Sequence, residues 1–257
     1  MIINNKFIKK QSGISKTAVK YGCDGTVSEV KRQLLSEHRT NIFIGSHLAM
    51  TVVCTADMLV ELAVGRLISE GFIESVSDIE YLYVCESGGR ITVILNKNTA
   101  VSAAVSETLS CCSDNRIYFN GSTEFRRIKK VKTDKAEIFK IISAAAEDTA
   151  LHKSTSGTHS CILAANGEMI SVFEDIGRHN ALDKAVGYMY LNNIPTSESA
   201  VYLTGRIPID MVRKCIAAKI PLVITKSVPT SEAVEMAEKY GITLVCRAWP
   251  DSFEIYT

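Results

Sequence analysis

Short apolar runs separated by glycine-bearing turns dominate the first half of the chain, and such runs read as strands paired in hairpins. "NIFI" (41–44), the turn Gly45-Ser46 and "LAMTVVC" (48–54) predict one hairpin. "IEYLYVC" (79–85), a Gly88-Gly89 turn and "ITVIL" (91–95) predict a second. Between them the spacing changes. Val60, Ala63, Val64, Leu67 and Ile68 recur at three and four residues, which predicts a helix over roughly 57–70 with Gly71 just past its end. Ile138, Ile141, Ile142, Ala145 and Ala146 predict the inward face of another helix, starting near Asp134. "CILAANGEMISVF" (161–173) predicts a third hairpin turning on Asn166-Gly167, a pair suited to a type I′ turn.

After Ile176 helices and strands alternate. "ALDKAVGYMYLNN" predicts an amphipathic helix with Leu182, Ala185, Val186 and Met189 on one face. "AVYLT" is a strand, Pro208 suits the first turn of the next helix, "PLVIT" is a strand, "SEAVEMAEKY" a helix ended by Gly241, and "ITLVC" a strand. A βαβαβ run of this kind predicts parallel pairing. The fold class is therefore α/β, with a hairpin-and-helix part over 1–132 and an α/β core over 133–257. The two read together as one integrated domain from about 40 to 257. No internal repeat or low-complexity segment interrupts them.

With 257 residues, 46% of them hydrophobic, the chain can bury a substantial core. Its net charge is +1, from 29 basic and 28 acidic residues, which argues against a general nucleic-acid coat. Any anion site must be a local cluster. The first residues, "MIINNKFIKKQSG", lack the apolar core of a signal peptide, and no apolar run is long enough to span a membrane. The expected location is cytoplasmic, where the 8 cysteines stay reduced.

Such a cluster is visible at the strand ends. In an open parallel sheet, ligands bind beyond the carboxyl ends of the strands. Three successive ends read "TGR", "TKS" and "CRAW", placing Arg206, Lys226 and Arg247 there. Gly205 and Ser227 accompany them, and two of the ends lead into helix starts, which favour anions. The expected ligand is anionic and phosphorylated. A second dense group is "FEDIGRHNALDKAVG", with Asp175, Gly177, Arg178, His179, Asn180, Asp183 and Lys184 around a helix start. Asp175 or Asn180 suits a capping role there. "TSGTHSC" adds Gly157 and His159 just before a strand.

Most cysteines end apolar runs or sit at helical spacing: Cys54, Cys85, Cys215 and Cys246 read as core residues. Cys23, in "KYGCDG", is intermediate. Only Cys111 and Cys112, in "TLSCCSDNR", lie among polar residues. A disulfide between neighbours needs a strained ring, so a structural bridge is not expected. A zinc site of the deaminase type needs His-x-Glu and Cys-x-x-Cys. His159 is followed by Ser160 and Cys161, and the chain has no Cys-x-x-Cys, so no zinc is expected and zinc-dependent deamination is the weaker enzyme alternative.

"TSGTHSC", "EDIGRHNALDKAVG", "LTGRIPIDMVRKC", "KSVPTSEAVEMAEKYGITLV" and "CRAWPDSFEIY" resemble, in order and spacing, the FdhD family of formate dehydrogenase accessory sulfurtransferases. "DMLVELAVGRLISEGFI" resembles the family's N-terminal helix. The resemblance implies a cytidine-deaminase-like α/β core with a smaller subdomain, and a homodimer. It implies that sulfur is accepted from a cysteine desulfurase as a persulfide. The sulfur then passes to the molybdenum bis(molybdopterin guanine dinucleotide) cofactor of a client formate dehydrogenase or related molybdoenzyme. GDP-like nucleotides would mimic part of that cargo. Family alignment also points to Val245, Cys246, Arg247, Ala248, Trp249 and Pro250 as a cofactor-contacting stretch.

Sulfur transfer would give the polar cysteines a purpose, since a carrier thiol must be accessible and ionisable. Cys111 aligns with the family's first cysteine and Cys112 is its candidate partner. The family pattern separates the two by two residues; here they adjoin. Arg116 and the run Arg126, Arg127, Lys129 and Lys130 are candidates to lower the thiol's pKa. The alternative from another class is a chaperone that holds the cofactor without moving sulfur.

Overall fold

The computed structural model describes residues 1–9, 11–96, 125–129 and 134–256. Its N-terminal part contains β1 (Ile2–Asn5), β2 (Gly13–Tyr21), β3 (Val27–Leu35), β4 (His38–Ile44), β5 (His47–Cys54), α1 (Leu59–Ser69), β6 (Ile79–Val84) and β7 (Arg90–Leu95). The remainder contains α2 (Lys135–Ala144), α3 (Ala150–Thr155), β8 (His159–Ala165), β9 (Glu168–Asp175), α4 (Arg178–Leu191) and β10 (Ser199–Leu203). It ends with α5 (Ile209–Ala217), β11 (Leu222–Thr225), α6 (Ser231–Tyr240), β12 (Thr243–Trp249) and β13 (Ser252–Tyr256).

Local chemistry explains most boundaries. Asp134 caps α2 by accepting from the Ala136 amide, and Thr230 caps α6 by accepting from the Ala233 amide. Gly241 ends α6 at φ 83°, a left-handed conformation that costs glycine nothing. Asn166 and Gly167, at φ 51° and 74°, form the tight turn between β8 and β9. All three predicted hairpins are present, and β10, β11 and β12 pair in parallel. Pro208 stands one residue earlier than expected, as the N-cap of α5. Ala146 lies beyond the end of α2 and is exposed rather than inward.

Three sheets result among the described residues. One runs β1-β6-β7-β4-β5, one runs β13-β12-β11-β10-β8-β9, and β2-β3 stands as a two-stranded sheet. The sequence reading missed β1, β2, β3, α3 and β13. One core joins the two large sheets. It contains Ile42, Leu82 and Val93 from the first, Leu62, Val64 and Leu67 from α1, and Leu182, Val186 and Met189 from α4. Leu163, Val201 and Val223 contribute from the six-stranded sheet. Each such side chain contributes roughly 1.5–3 kcal/mol by leaving water. The far face of the six-stranded sheet is covered by Ile138, Ile141 and Ile142 of α2.

Helix α4 departs from the amphipathic expectation. Ten of its fourteen residues are buried, including His179, Asn180, Asp183 and Lys184. It packs against β8, β9 and β10 on one side and α1 on the other, so it has almost no solvent face. Its polar residues therefore find partners inside the protein.

Candidate functional site

The topology gathers several of the sequence-predicted residues on one sheet edge. The carboxyl ends of β10, β11 and β12 lie together because the three strands are parallel. Since β8 is antiparallel to β10, its first residue His159 lies on the same edge, paired with Asp175 at the end of β9. Hydrogen bonds lock the loops leaving this edge. The Ser160 amide donates to Thr204 Oγ1 at 3.0 Å, and Thr225 Oγ1 donates to the Gly205 carbonyl at 2.9 Å. The Arg247 amide donates to the Ser227 carbonyl at 2.9 Å, and the Ile207 amide to the Val228 carbonyl at 3.1 Å.

A cavity of about 250 Å³ opens at this edge, on the α2 side of the sheet. Ile162 and Tyr202 line it from the strands, Ser160 and Thr204 supply hydroxyls, and Lys226 supplies a cation. Ala248, Trp249 and Pro250 line it from the end of β12, and Asp148 from the loop after α2. Burial raises the Tyr202 phenol's pKa, and the Asp148 carboxylate raises it further. An apolar pocket with a few convergent polar groups is the usual form of a small-molecule site. Lys226 and Trp249 suit a ligand with an anionic group and a flat apolar part.

On the other side of the edge sits a second polar group. Gly205 packs so closely that an added Cβ would lie 3.3 Å from Arg178 Cδ and 3.4 Å from His159 Nδ1. Next to Arg178, the buried His179 is hydrogen-bonded to Asp210 of α5, Nε2 to Oδ2 2.8 Å. His159 is half-buried. Burial lowers its pKa, and the neighbouring Arg178, His152 and His179 lower it further against a small opposing pull from Asp175. The ring therefore holds its neutral form to lower pH than a free histidine.

Asp175, Asn180 and Lys184 turn inward instead. Asp175 Oδ2 accepts from the amide and hydroxyl of Thr55, both at 3.0 Å, and Oδ1 accepts from Asn180 Nδ2 at 2.8 Å. Lys184 Nζ meets Asp175 at 2.8 Å, Asp57 at 2.5 Å and the Glu174 carbonyl at 3.0 Å. Burial alone would lower the Lys184 pKa, but the two carboxylates more than offset it and raise it. These three side chains pin the segment between β5 and α1 to the start of α4. A second buried group ties α1, α4 and α5. Asp183 accepts from Lys214 at 2.8 Å, Ser69 Oγ at 2.6 Å and Arg66 at 3.1 Å, while Glu70 meets Arg66 at 3.1 Å and Lys214 at 3.0 Å. Burial would raise the Asp183 pKa, yet Lys214, Arg66 and Ser69 together hold it below the ordinary carboxylate value.

The other candidates are dispersed. Arg206 is exposed. Arg247 adopts φ 45° at an irregularity in the β12–β13 pairing and points toward Glu254, 3.7 Å away on the surface. Val245 and Cys246 are buried in the sheet, facing the two cores on its opposite sides. Gly157 is exposed, with room for a Cβ limited by Leu35 Cδ1 at 2.8 Å; Gly177 is the N-cap of α4; and Ser227 is partly buried. Cys111, Cys112, Arg116 and Lys130 lie outside the described residues. Burial pushes the Cys215 and Cys246 thiols up to about 12 and raises Cys54 and Cys161 as well. Cys85 departs from the core reading: it is partly exposed at the β6–β7 turn, its sulfur accepting from the Arg90 amide at 3.2 Å. Among the described residues no group of three or more His, Cys, Asp or Glu side chains is placed to hold a metal ion.

Asp210, Thr55, Asp57, Tyr202 and Asp148 went unnoticed in the sequence. Asp210 had a usable signal, since it follows Pro208 at the first turn of a helix where acids are favoured. Thr55 and Asp57 had none, because their partners are more than a hundred residues away.

The family model described as the FdhD/NarQ family matches residues 35–257. The sulfur carrier protein FdhD of Listeria innocua serovar 6a is 30% identical over 254 residues, covering 95% of this chain and 97% of the relative. The sulfur carrier protein FdhD of Bacillus subtilis (strain 168) is 28% identical over 239 residues, covering 91% of each. A crystal structure described as that of a formate dehydrogenase accessory protein from Desulfotalea psychrophila aligns with a TM-score of 0.77 at 26% identity, covering 96% of this chain and 97% of that one.

Proposed function

The chain belongs to the FdhD/NarQ family, and from that premise we propose that it carries sulfur for the maturation of a formate dehydrogenase. The thiolate of Cys111 attacks the outer sulfur of a persulfide on a cysteine desulfurase. The donor's sulfur–sulfur bond breaks and the donor leaves as a thiolate. The outer sulfur then passes to the molybdenum bis(molybdopterin guanine dinucleotide) cofactor, which is cargo rather than a resident group. The sulfur–sulfur bond on Cys111 breaks, a thiol reductant supplies the two electrons that take the transferred sulfur to sulfide, and Cys111 is left as its thiolate. The match over residues 35–257 carries this reading.

The carboxyl edge supports it chemically. A cavity of about 250 Å³ is too small for the whole cofactor but admits one headgroup. Lys226 would neutralise a phosphate, Ser160 and Thr204 would donate hydrogen bonds, and Trp249 would lie against a base. The protein functions in the cytoplasm as a homodimer. Among the described residues no helix is long and apolar enough to cross a membrane.

Mass spectrometry after incubation with the desulfurase and cysteine tests the carrier role. The wild-type chain gains the mass of one sulfur atom, Cys111→Ala does not, and Cys112→Ala gains less. Loading of Cys111→Ala at the wild-type rate would refute the assignment. The adjacency of Cys111 and Cys112 favours one second reading, a chaperone that holds the cofactor without moving sulfur. Client activity in cells unaffected by either substitution would establish that reading instead.

A further inference from the structure

The hairpin β2–β3 stands apart from both large sheets. Its strands pair along their full length, from Gly13 opposite Leu35 to Tyr21 opposite Val27. None of its eighteen residues is buried, and only Gly13, Val30 and Leu35 are even partly covered. Nine residues per strand make an arm about 30 Å long. A lone two-stranded hairpin is marginal in water, and both its edges offer unpaired backbone groups. It nevertheless exposes Ile14 (48%), Val19 (52%), Tyr21 (75%), Val27 (62%) and Leu34 (49%). Such a surface calls for cover by another molecule.

The charges select what covers it. One face carries Lys16 directly opposite Arg32, with Lys20 two positions further along. Like charges opposed across a strand pair destabilise it unless an anion lies between or over them. Across both faces the strands carry Lys16, Lys20, Lys31 and Arg32 against Glu29 alone. Two such arms would repel each other, so mutual pairing of arms between two copies is disfavoured. An acidic partner is favoured.

Position narrows the choice of partner. The root of the arm, Leu35, touches Gly157, two residues before His159 at the carboxyl edge. A protein that takes cargo from the carboxyl edge must approach the root of the arm. The family model begins at residue 35, so the arm lies ahead of the region that model describes.

We propose that β2–β3 is a docking arm for an acidic surface of the client formate dehydrogenase, a role that rests on the sulfur-carrier reading above. Lys16, Lys20 and Arg32 provide the electrostatic contact, and Ile14 and Leu34 the apolar footing. The test is interferometry of the full-length chain on the purified client apoenzyme from the same organism. The variants are K16E/K20E/R32E and the neutral K16Q/K20Q/R32Q; all three positions are exposed. The charge reversal weakens binding at least tenfold and the neutral variant less, and the difference from wild type shrinks as salt rises. Sulfur loading and GDP binding stay at wild-type levels in both. Unchanged client affinity overturns the proposal. So does a wild-type dimer that the reversal converts to monomer at unchanged client affinity, which would make a second copy the occupant. If the wild-type chain neither loads sulfur nor binds the client, the carrier reading fails and the arm's role falls with it.

Discussion

Gly65 of α1 and Gly187 of α4 face each other across the helix crossing at backbone contact. A Cβ built on Gly65 would lie 1.7 Å from the Asp183 carbonyl oxygen, and one on Gly187 would lie 1.9 Å from the Glu61 carbonyl oxygen. Backbone cannot yield as a flexible side chain does, so the helices would have to move apart. Gly65→Ala and Gly187→Ala are each expected to destabilise the protein by about 3 kcal/mol, at the upper end of the range for overpacking. Urea denaturation at neutral pH checks this; a loss under about 1 kcal/mol would mean the helices separate easily.

Asp183 should set part of the acid limit of stability. Its folded pKa lies below the ordinary value of 3.8 because Lys214, Arg66 and Ser69 together outweigh the cost of burial. The stability it contributes is fully present above that value and is lost as pH falls through the lowered pKa. Asp183→Asn is expected to cost about 3–5 kcal/mol at neutral pH, because two buried cations then share Glu70. Its melting temperature should also fall less steeply with acid than that of the wild type, between about pH 5 and pH 2.

His159 offers a direct probe of the carboxyl edge. Its imidazole resonances should titrate below the ordinary value of 6.5, since burial and then Arg178 disfavour the charged ring. Arg178→Ala should move the midpoint upward. With a depressed folded pKa, the ring's contribution to stability is present above 6.5 and lost as pH falls. A midpoint that ignores Arg178 would separate the two side chains in solution.

Lys226 and Arg247 should differ as ligand contacts, although the sequence placed them at equivalent strand ends. Lys226 lines the cavity, while Arg247 lies on the surface toward Glu254. Lys226→Ala is expected to weaken GDP binding about tenfold or more, as for loss of a charge-assisted hydrogen bond. Arg247→Ala should change it about twofold at most, as for a surface charge. Trp249 is the single tryptophan of the chain and lines the same cavity, so its fluorescence reports binding directly. Equal losses in both variants would move the site toward the β12–β13 surface.

The parts of the fold legible in sequence were those with a buried face and a local stop signal. The β8–β9 hairpin has both: a continuously buried β8 and Asn166-Gly167 at its turn. The arm β2–β3 has a turn signal in Asp24-Gly25 but no buried face, and a strand exposed on both faces leaves no hydrophobic period to read. The cluster around Arg178 was visible as polarity, but its direction was not. Lys184 looks like a ligand contact in sequence and is a buried tie in the fold, because its partners Thr55 and Asp57 are brought by distant chain. The cavity was half legible: Lys226, Trp249 and Pro250 were expected, while Tyr202 looked like an ordinary strand residue.

The crossing of α1 on α4 also sets a timetable for synthesis. The apolar face of α1 is complete once residue 69 leaves the ribosome, but its main partner ends at residue 191. At about 5–20 residues per second, the nascent chain waits roughly 6–24 seconds with Leu62, Val64 and Leu67 uncovered. Through that interval Arg66 and Glu70 have only each other, since Asp183 and Lys214 have not yet been made. The N-terminal half must therefore stay soluble as an unfinished sheet until α4 has been made.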